Sequence, residues 1–79
     1  MKLPRDLDGA DLAKLLCAEY GYRRIHQVGS HIVLETDRPT HHRLAIPHHK
    51  PLRIGTLNAI LRSVCEVKGI SKEEIVRQL

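Results

Sequence analysis

Phenylalanine and tryptophan are absent from this sequence of 79 residues, and its only aromatic side chains, histidines aside, are those of Tyr20 and Tyr22. The core must therefore be built from leucine, isoleucine, valine and alanine. A broad aromatic platform for stacking nucleic-acid bases is disfavoured for the same reason. A chain this short buries only about 60% of the surface that it exposes when unfolded, so we expect a single domain, residues 1–79.

Cysteine is also scarce. Cys17 and Cys65 lie far apart, and neither has a second cysteine at the spacing of a metal-binding or redox motif. This pattern favours a reducing compartment in which both thiols are free. No apolar run is long enough to cross a bilayer, and the first residues lack the apolar stretch of a secretion signal. We therefore expect a cytoplasmic protein with no membrane partner.

The charge is unevenly distributed along the chain. The formal net charge is +4, with −1 in residues 1–19, +5 in residues 20–62 and 0 in residues 63–79. A concentrated positive field attracts polyanions, which makes RNA or DNA the first partner to consider. The alternative is that the charge only keeps a small protein soluble. The basic segment also contains all six histidines: His26, His31, His41, His42, His48 and His49.

Two segments have the pattern of longer helices. The first begins at Asp8, whose carboxylate can cap the first turn, and ends before Gly21. The second begins near Gly55 and ends at Gly69. Within it, apolar residues recur at the spacing of one helix face: Leu57, Ile60, Leu61 and Val64.

Three strands and a last short helix complete the prediction. Gly29-Ser30 suits a tight hairpin whose first central residue needs a positive φ. The final helix runs from Lys72 towards Leu79, after a capping box formed by Ser71 and Glu74. The predicted strands are Tyr22 to Val28, His31 to Thr36, and Arg43 to Ile46, where Pro47 limits extension.

This order of elements predicts an α+β fold. One helix, three antiparallel strands and a second helix give the α-β-β-β-α order of the double-stranded-RNA-binding fold, here with an extra short C-terminal helix. Helices packed on one face of the three-stranded sheet leave the other face to water or a ligand. The order supports an RNA partner only by analogy, because fold does not dictate function.

His31 is the first candidate for catalysis. It follows the Gly29-Ser30 turn at the start of a strand, which exposes its imidazole on a rigid element. Cleavage of an RNA phosphodiester without metal requires a base for the 2′-hydroxyl proton and an acid for the leaving 5′-oxygen, and histidine can serve as either. The alternative is an ordinary surface histidine at a strand end.

The histidine pairs and the neighbouring cations have less specific patterns. Adjacent side chains on a strand point to opposite faces, and no cysteine or carboxylate cluster completes a ligand set, so we expect no metal site. Lys50 and Arg53 precede a helix whose free amides and positive dipole end can hold a phosphate. Arg23 and Arg24 point to opposite faces of their strand, so at most one of them belongs to a given RNA surface.

Several segments, taken in order, resemble the HicA (YcfA-like) toxins. They are Asp11-Leu12, Leu15-Leu16, Tyr20-Gly21-Tyr22, Gln27-Val28-Gly29-Ser30-His31, Pro47-His48-His49-Lys50 and Gly55-Thr56-Leu57-Asn58-Ala59-Ile60-Leu61. Each segment alone is a weak signal, whereas the ordered set covers nearly the whole chain. Two features depart from the family pattern: the longer segment Ser63 to Lys68 and the histidine-rich loop around His41 and His42.

The resemblance implies a metal-independent endoribonuclease that cleaves messenger RNA, needs no cofactor, and is inactivated by a HicB-type antitoxin covering its active site. The catalytic histidine of the family corresponds to His31, with Gly29 and Ser30 as the turn that presents it. We expect RNA contacts from Lys50, Arg53, His49 and Arg24, with His49 also a candidate second catalytic group. Contact with DNA is expected only indirectly, through the antitoxin complex.

Two other functions are compatible with the sequence. A non-catalytic RNA-binding module of the same fold would differ in few residues, although the intact Gly29-Ser30-His31 segment favours the enzyme. A protein whose only partner is another chain would use the exposed sheet face or edge for docking, and would show no salt-sensitive affinity for RNA.

Overall fold

The computed structural model describes residues 2–79 and has the predicted order of a helix, three strands and two helices. The α-β-β-β-α order with an additional short C-terminal helix is therefore confirmed. The elements are α1 (Gly9–Glu19), β1 (Arg23–Val28), β2 (His31–Thr36), β3 (His42–Pro47), α2 (Ile54–Lys68) and α3 (Lys72–Val76).

Helix α1 begins where the sequence predicts it. The Oδ1 atom of Asp8 accepts a hydrogen bond from the amide of Ala10 at 3.0 Å, which satisfies one of the free donors of the first turn. Leu12 and Leu16 are fully buried on one face of the helix. Tyr20 caps the C-terminal end, and Gly21 follows with a φ of 73° that favours glycine.

The three strands form an antiparallel sheet with β2 in the centre. Gly29 has a φ of 57° in the two-residue turn between β1 and β2, as the turn chemistry predicts. Arg23 pairs with Glu35 and Arg24 with Leu34, so the two arginines lie on opposite faces. The register of β1 then shifts at Ile25, a β-bulge that the sequence pattern does not reveal.

The two faces of the sheet differ in burial. Ile32 and Leu34 face the helices and are at most 1% exposed. His31, Val33 and Glu35 lie on the other face, as their alternation predicts. Val33 is nevertheless buried, because it sits on the central strand between β1 and β3. His26 and Ala45, which pair with Val33 on this open face, are exposed.

Helices α2 and α3 close the core. The four apolar residues that predicted the long helix are all buried: Leu57, Ile60, Leu61 and Val64. Gly69 ends α2 in the left-handed conformation with a φ of 67°. The Oγ atom of Ser71 then accepts a hydrogen bond from the amide of Glu74, which confirms this half of the predicted capping box. Ile75 of α3 is fully buried.

Four predicted boundaries, in three elements, are wrong by one to three residues. Strand β1 begins at Arg23, since the amide of Tyr22 bonds to the carbonyl of Leu16 instead of to a strand. Strand β3 includes His42 and Pro47, because the ladder with β2 extends from Thr36 to His31. Helix α3 ends at Val76, after which the chain tightens into turns with bonds three residues back.

Within residues 2–79, no helix is both long enough and apolar enough to span a bilayer.

Candidate active site at the turn end of the sheet

His31 is mounted on the central strand at the end of the sheet that carries the β1–β2 turn. It pairs with Val28 on one side and with Pro47 on the other. The imidazole is exposed and lies on the open face. Strand β2 is held on both edges, so the backbone beneath His31 is rigid while its side chain is accessible.

The end of β3 is tied directly to this turn. The amide of His48 donates a hydrogen bond to the carbonyl of Ser30. One residue further, the carbonyl of His49 accepts a hydrogen bond from the amide of Gly9 at 3.1 Å. These two bonds bring the exposed residues His48 and His49 to the same end of the sheet as His31.

The segment between β3 and α2 adds two exposed cations, Lys50 and Arg53. Arg53 is the N-cap residue of α2, but its side chain forms no capping hydrogen bond, and the first turn of the helix contains no acidic residue. The free amides of that turn and both cations are therefore available to an anion.

Gly9 explains how closely α1 approaches this site. A Cβ atom at this position would lie 2.0 Å from the carbonyl oxygen of Pro47 and 3.4 Å from Cγ2 of Ile46. Only a residue without a side chain permits this contact. The start of α1 thus packs on the end of β3 and holds the His48–His49 backbone against the turn.

Arg24 is not part of this group. It pairs with Leu34 on the helix-facing side of the sheet, and its guanidinium donates a hydrogen bond to Oε1 of Gln27 at 2.7 Å. It lines a groove between β1 and α1 together with Lys14 and Cys17. The structure therefore separates Arg24 from His31 by the thickness of the sheet.

The opposite end of the open face carries a network of ion pairs. Glu35 binds the guanidinium groups of Arg23 and Arg43, the latter at 3.1 Å. Asp37 binds Arg23 at 2.9 Å and Nδ1 of His41 at 3.2 Å. Hydrogen bonds from His41 and Arg23 lower the pKa of Asp37.

Glu35, Asp37 and His41 each place one potential ligand atom within 4.8 Å of the others. Both carboxylates are already paired with guanidinium groups, however, and a divalent cation would have to displace them. His41 and His42 point in different directions: His41 faces the carboxylates, whereas His42 faces Tyr22 and Ser63.

A half-buried network around His42 is not evident from the sequence pattern. Its Nδ1 atom lies 2.9 Å from the hydroxyl of Tyr22, and its Nε2 atom lies 3.0 Å from Oγ of Ser63. Burial, assisted by the positive charges of Lys68 and His41, lowers the pKa of His42. Burial also raises the pKa of Tyr22 to about 12. The network joins β3, α2 and the start of β1.

A family model, the HicA toxin of bacterial toxin–antitoxin systems, matches residues 9–64, more than half of the chain. The chain belongs to the HicA toxin family. As a HicA toxin it is the toxin member of a toxin–antitoxin pair, and membership of this family implies an antitoxin as its partner. No curated protein and no solved structure gives a significant match.

The matched segment of this HicA toxin begins at Gly9, the glycine packed on Pro47, and ends at Val64 within α2. It contains His31, its turn, Lys50 and Arg53. The rest of α2, all of α3 and the N-terminal segment 2–8 lie outside the match. The departure at Ser63 to Lys68 therefore coincides with the point where the family match ends.

Proposed function

We propose that this HicA toxin is a metal-independent endoribonuclease that cleaves messenger RNA and thereby blocks translation, with His31 as its general acid or base. The observation that carries the proposal is the position of His31. Its exposed imidazole stands on the rigid central strand, at the same end of the sheet as His48, His49, Lys50 and Arg53.

The proposed reaction is an internal transfer at phosphorus. The ribose 2′-oxygen attacks the adjacent phosphorus while the bond from phosphorus to the 5′-oxygen of the next nucleotide breaks. A base accepts the 2′ proton, and an acid donates a proton to the 5′-oxygen. The products are a 2′,3′-cyclic phosphate and a 5′-hydroxyl. An imidazole can perform either proton transfer near neutral pH, and His49 is the proposed second group.

Lys50 and Arg53 are proposed to hold the phosphate and offset the charge that develops on its oxygens. The uncapped first turn of α2 adds backbone donors at the same place. Such preorganised donors stabilise a transition state because they need no reorganisation during the reaction. Gly29 and Ser30 position His31 and do not take part in proton transfer.

The test is incubation of the purified toxin with a long single-stranded RNA in excess EDTA, followed by analysis of the fragment ends. We expect cleavage to leave cyclic phosphate and 5′-hydroxyl ends. The His31→Ala variant should cleave about 10²–10⁴-fold more slowly, the usual contribution of such a group. His41→Ala is the matched control, because His41 is an exposed histidine at the opposite end of the sheet.

Equal cleavage by the parent protein and His31→Ala would contradict the assignment of His31. Absence of cleavage by either protein, with RNA still bound, would favour the alternative, a non-catalytic RNA-binding module. For the partner, we propose a HicB-type antitoxin that covers the His31 site. Addition of a HicB-type protein encoded beside the toxin should then abolish cleavage and RNA binding together.

A further inference from the structure

The N-terminal segment, which lies outside the part of the chain that matches the family, forms a cleft with the first turn of α2. The cleft has a volume of about 410 Å³ and is lined by Lys2, Leu3, Arg5 and Ile54. Main-chain hydrogen bonds hold the segment alongside the site: the amide of Leu52 donates to the carbonyl of Leu7 at 2.8 Å. The Gly9–His49 bond continues this pairing.

The lining combines exposed cations with an apolar floor. Lys2 and Arg5 are exposed, Leu3 packs against the core, and Ile54 is 40% exposed although it is a large apolar residue. Every ion pair found among residues 2–79 belongs to the network at the other end of the sheet. Glu73 lines a neighbouring cleft with Lys2 but forms none of these pairs. Both cations can therefore bind an external anion.

We infer that this cleft binds one nucleotide of a single-stranded RNA substrate, an inference that rests on the proposed function. Its phosphates would pair with Lys2 and Arg5, and the base or ribose would lie on Leu3 and Ile54. The volume falls in the range of about 300–1,000 Å³ that is usual for small-ligand pockets. Charge and apolar contact without a set of base-reading groups give a subsite that tolerates any sequence.

The position of the cleft defines its place along the RNA. Ile54 directly follows Arg53, so a nucleotide in the cleft is a neighbour of the phosphate proposed to lie at Lys50 and Arg53. The RNA path thus extends from His31 past the start of α2 to the N-terminal segment. In the sequence, residues 1–19 have a negative net charge, and only the fold brings Lys2 and Arg5 to the basic end.

The experiment compares salt dependence of RNA binding in the His31→Ala background, so that the probe is not cut. The probe is a fluorescent oligouridylate, measured by anisotropy over a range of salt concentrations. Each phosphate contact with a single strand contributes about −0.7 to the slope of the logarithm of the association constant against log salt. Lys2→Gln/Arg5→Gln should therefore reduce the magnitude of this slope by about 1.4 and weaken binding.

The matched control is Lys14→Gln/Arg62→Gln, which removes the same charge from two exposed positions on α1 and α2. We expect it to retain the slope of the background protein. Equal slopes for the two double variants would overturn the subsite, since the effect would then be one of net charge. Ile54→Ser should weaken binding without changing the slope, and unchanged affinity would overturn the apolar contact.

The outcomes also separate the subsite from the ribonuclease. A slope change confined to Lys2→Gln/Arg5→Gln, in a protein whose parent does not cleave RNA, would support the cleft and overturn the enzymatic proposal. Cleavage of RNA by the parent protein, with equal slopes for both double variants, would support the enzymatic proposal and overturn the cleft. Failure of the background protein to bind the probe at any salt concentration would overturn the subsite.

Discussion

The Nδ1 atom of His42 lies 2.9 Å from the hydroxyl oxygen of Tyr22, twenty positions earlier in the chain. The two rings meet edge to face at 72°. Above the Tyr22 ring, the ammonium of Lys68 lies 4.9 Å from the ring centre and donates a hydrogen bond to Oγ1 of Thr36 at 2.9 Å. Thr36 is the one buried residue with a hydroxyl, amide or charged side chain, tyrosine aside, among residues 2–79. These contacts link His42 of β3 to Lys68 of α2 through the side chain of Tyr22.

Stability should fall in mild acid because of His42. Burial, with the charges of Lys68 and His41, lowers the pKa of His42 below its usual 6.5 in the folded protein. The unfolded chain therefore binds this proton at a higher pH than the folded chain does. The contribution of neutral His42 to the free energy of unfolding is fully present above pH 6.5. It is lost as the pH falls through the pKa of His42 in the folded protein.

Urea unfolding at about pH 8 and about pH 5 measures this loss. His42→Gln should show a smaller difference between the two pH values than the parent protein, because the titrating group is gone. His26→Gln, which replaces an exposed histidine of β1, should keep the difference of the parent. If His42→Gln retains the full difference, another group is responsible.

Gly9→Ala should destabilise the protein. The added methyl group would meet the Pro47 carbonyl oxygen at 2.0 Å, a backbone atom that cannot move without shifting β3. We expect a loss of about 1–3 kcal/mol, as for overpacking elsewhere. Gly55→Ala is the control, because that helical position has open space and alanine should stabilise it by about 0.5–1 kcal/mol. Thermal melting that ranks the two variants in the opposite order would refute this explanation.

RNA binding should distinguish Arg53 from Arg24. In the His31→Ala background, Arg53→Gln should reduce the magnitude of the salt slope by about 0.7, the loss of one phosphate contact. Arg24→Gln should leave the slope unchanged, because Arg24 lies on the helix-facing side of the sheet. A slope of smaller magnitude for Arg24→Gln would show instead that RNA also contacts that side of the sheet, in agreement with the predicted RNA contact of Arg24.

Ile75 tests whether the region beyond the family match belongs to the core. Ile75 is fully buried, although the match ends at Val64. Ile75→Ala should cost about 2–5 kcal/mol and Ile75→Val about 0.5–1.5 kcal/mol, the usual graded losses for a core position. Chemical denaturation of both variants measures the gradient. A change of less than about 0.5 kcal/mol for Ile75→Ala would mean that α3 is dispensable.

Local sequence patterns predict the order of the helices and strands and the turn that precedes His31. The spacing of Leu57, Ile60 and Leu61 predicts α2, and Gly29 predicts the turn that presents His31. Both signals lie within a few residues of the structure that they specify. The α+β order followed from these local signals.

The features that were missed depend on contacts between distant residues. The sequence pattern places His42 in a polar loop, whereas in the structure it lies in β3 and contacts Tyr22 and Ser63, twenty or more positions away. The bulge at Ile25 arises from the pairing of β1 with β2 and has no local marker. The charge of Arg24 is visible in the sequence, whereas its side of the sheet depends on the pairing with Leu34, and its contact with RNA stays a prediction.

Because the ion pairs lie at one end of the sheet, the net charge is unevenly distributed between its two ends. Carboxylates neutralise Arg23 and Arg43 at one end of the sheet, while Lys50 and Arg53 at the other end take part in none of the ion pairs among residues 2–79. An approaching polyanion is then turned towards the His31 end before it touches the surface. The longest dimension is 30 Å, whereas charges are screened within about 8 Å at physiological salt. The orienting effect therefore acts only in the last stage of approach and should raise the association rate most strongly in dilute buffer.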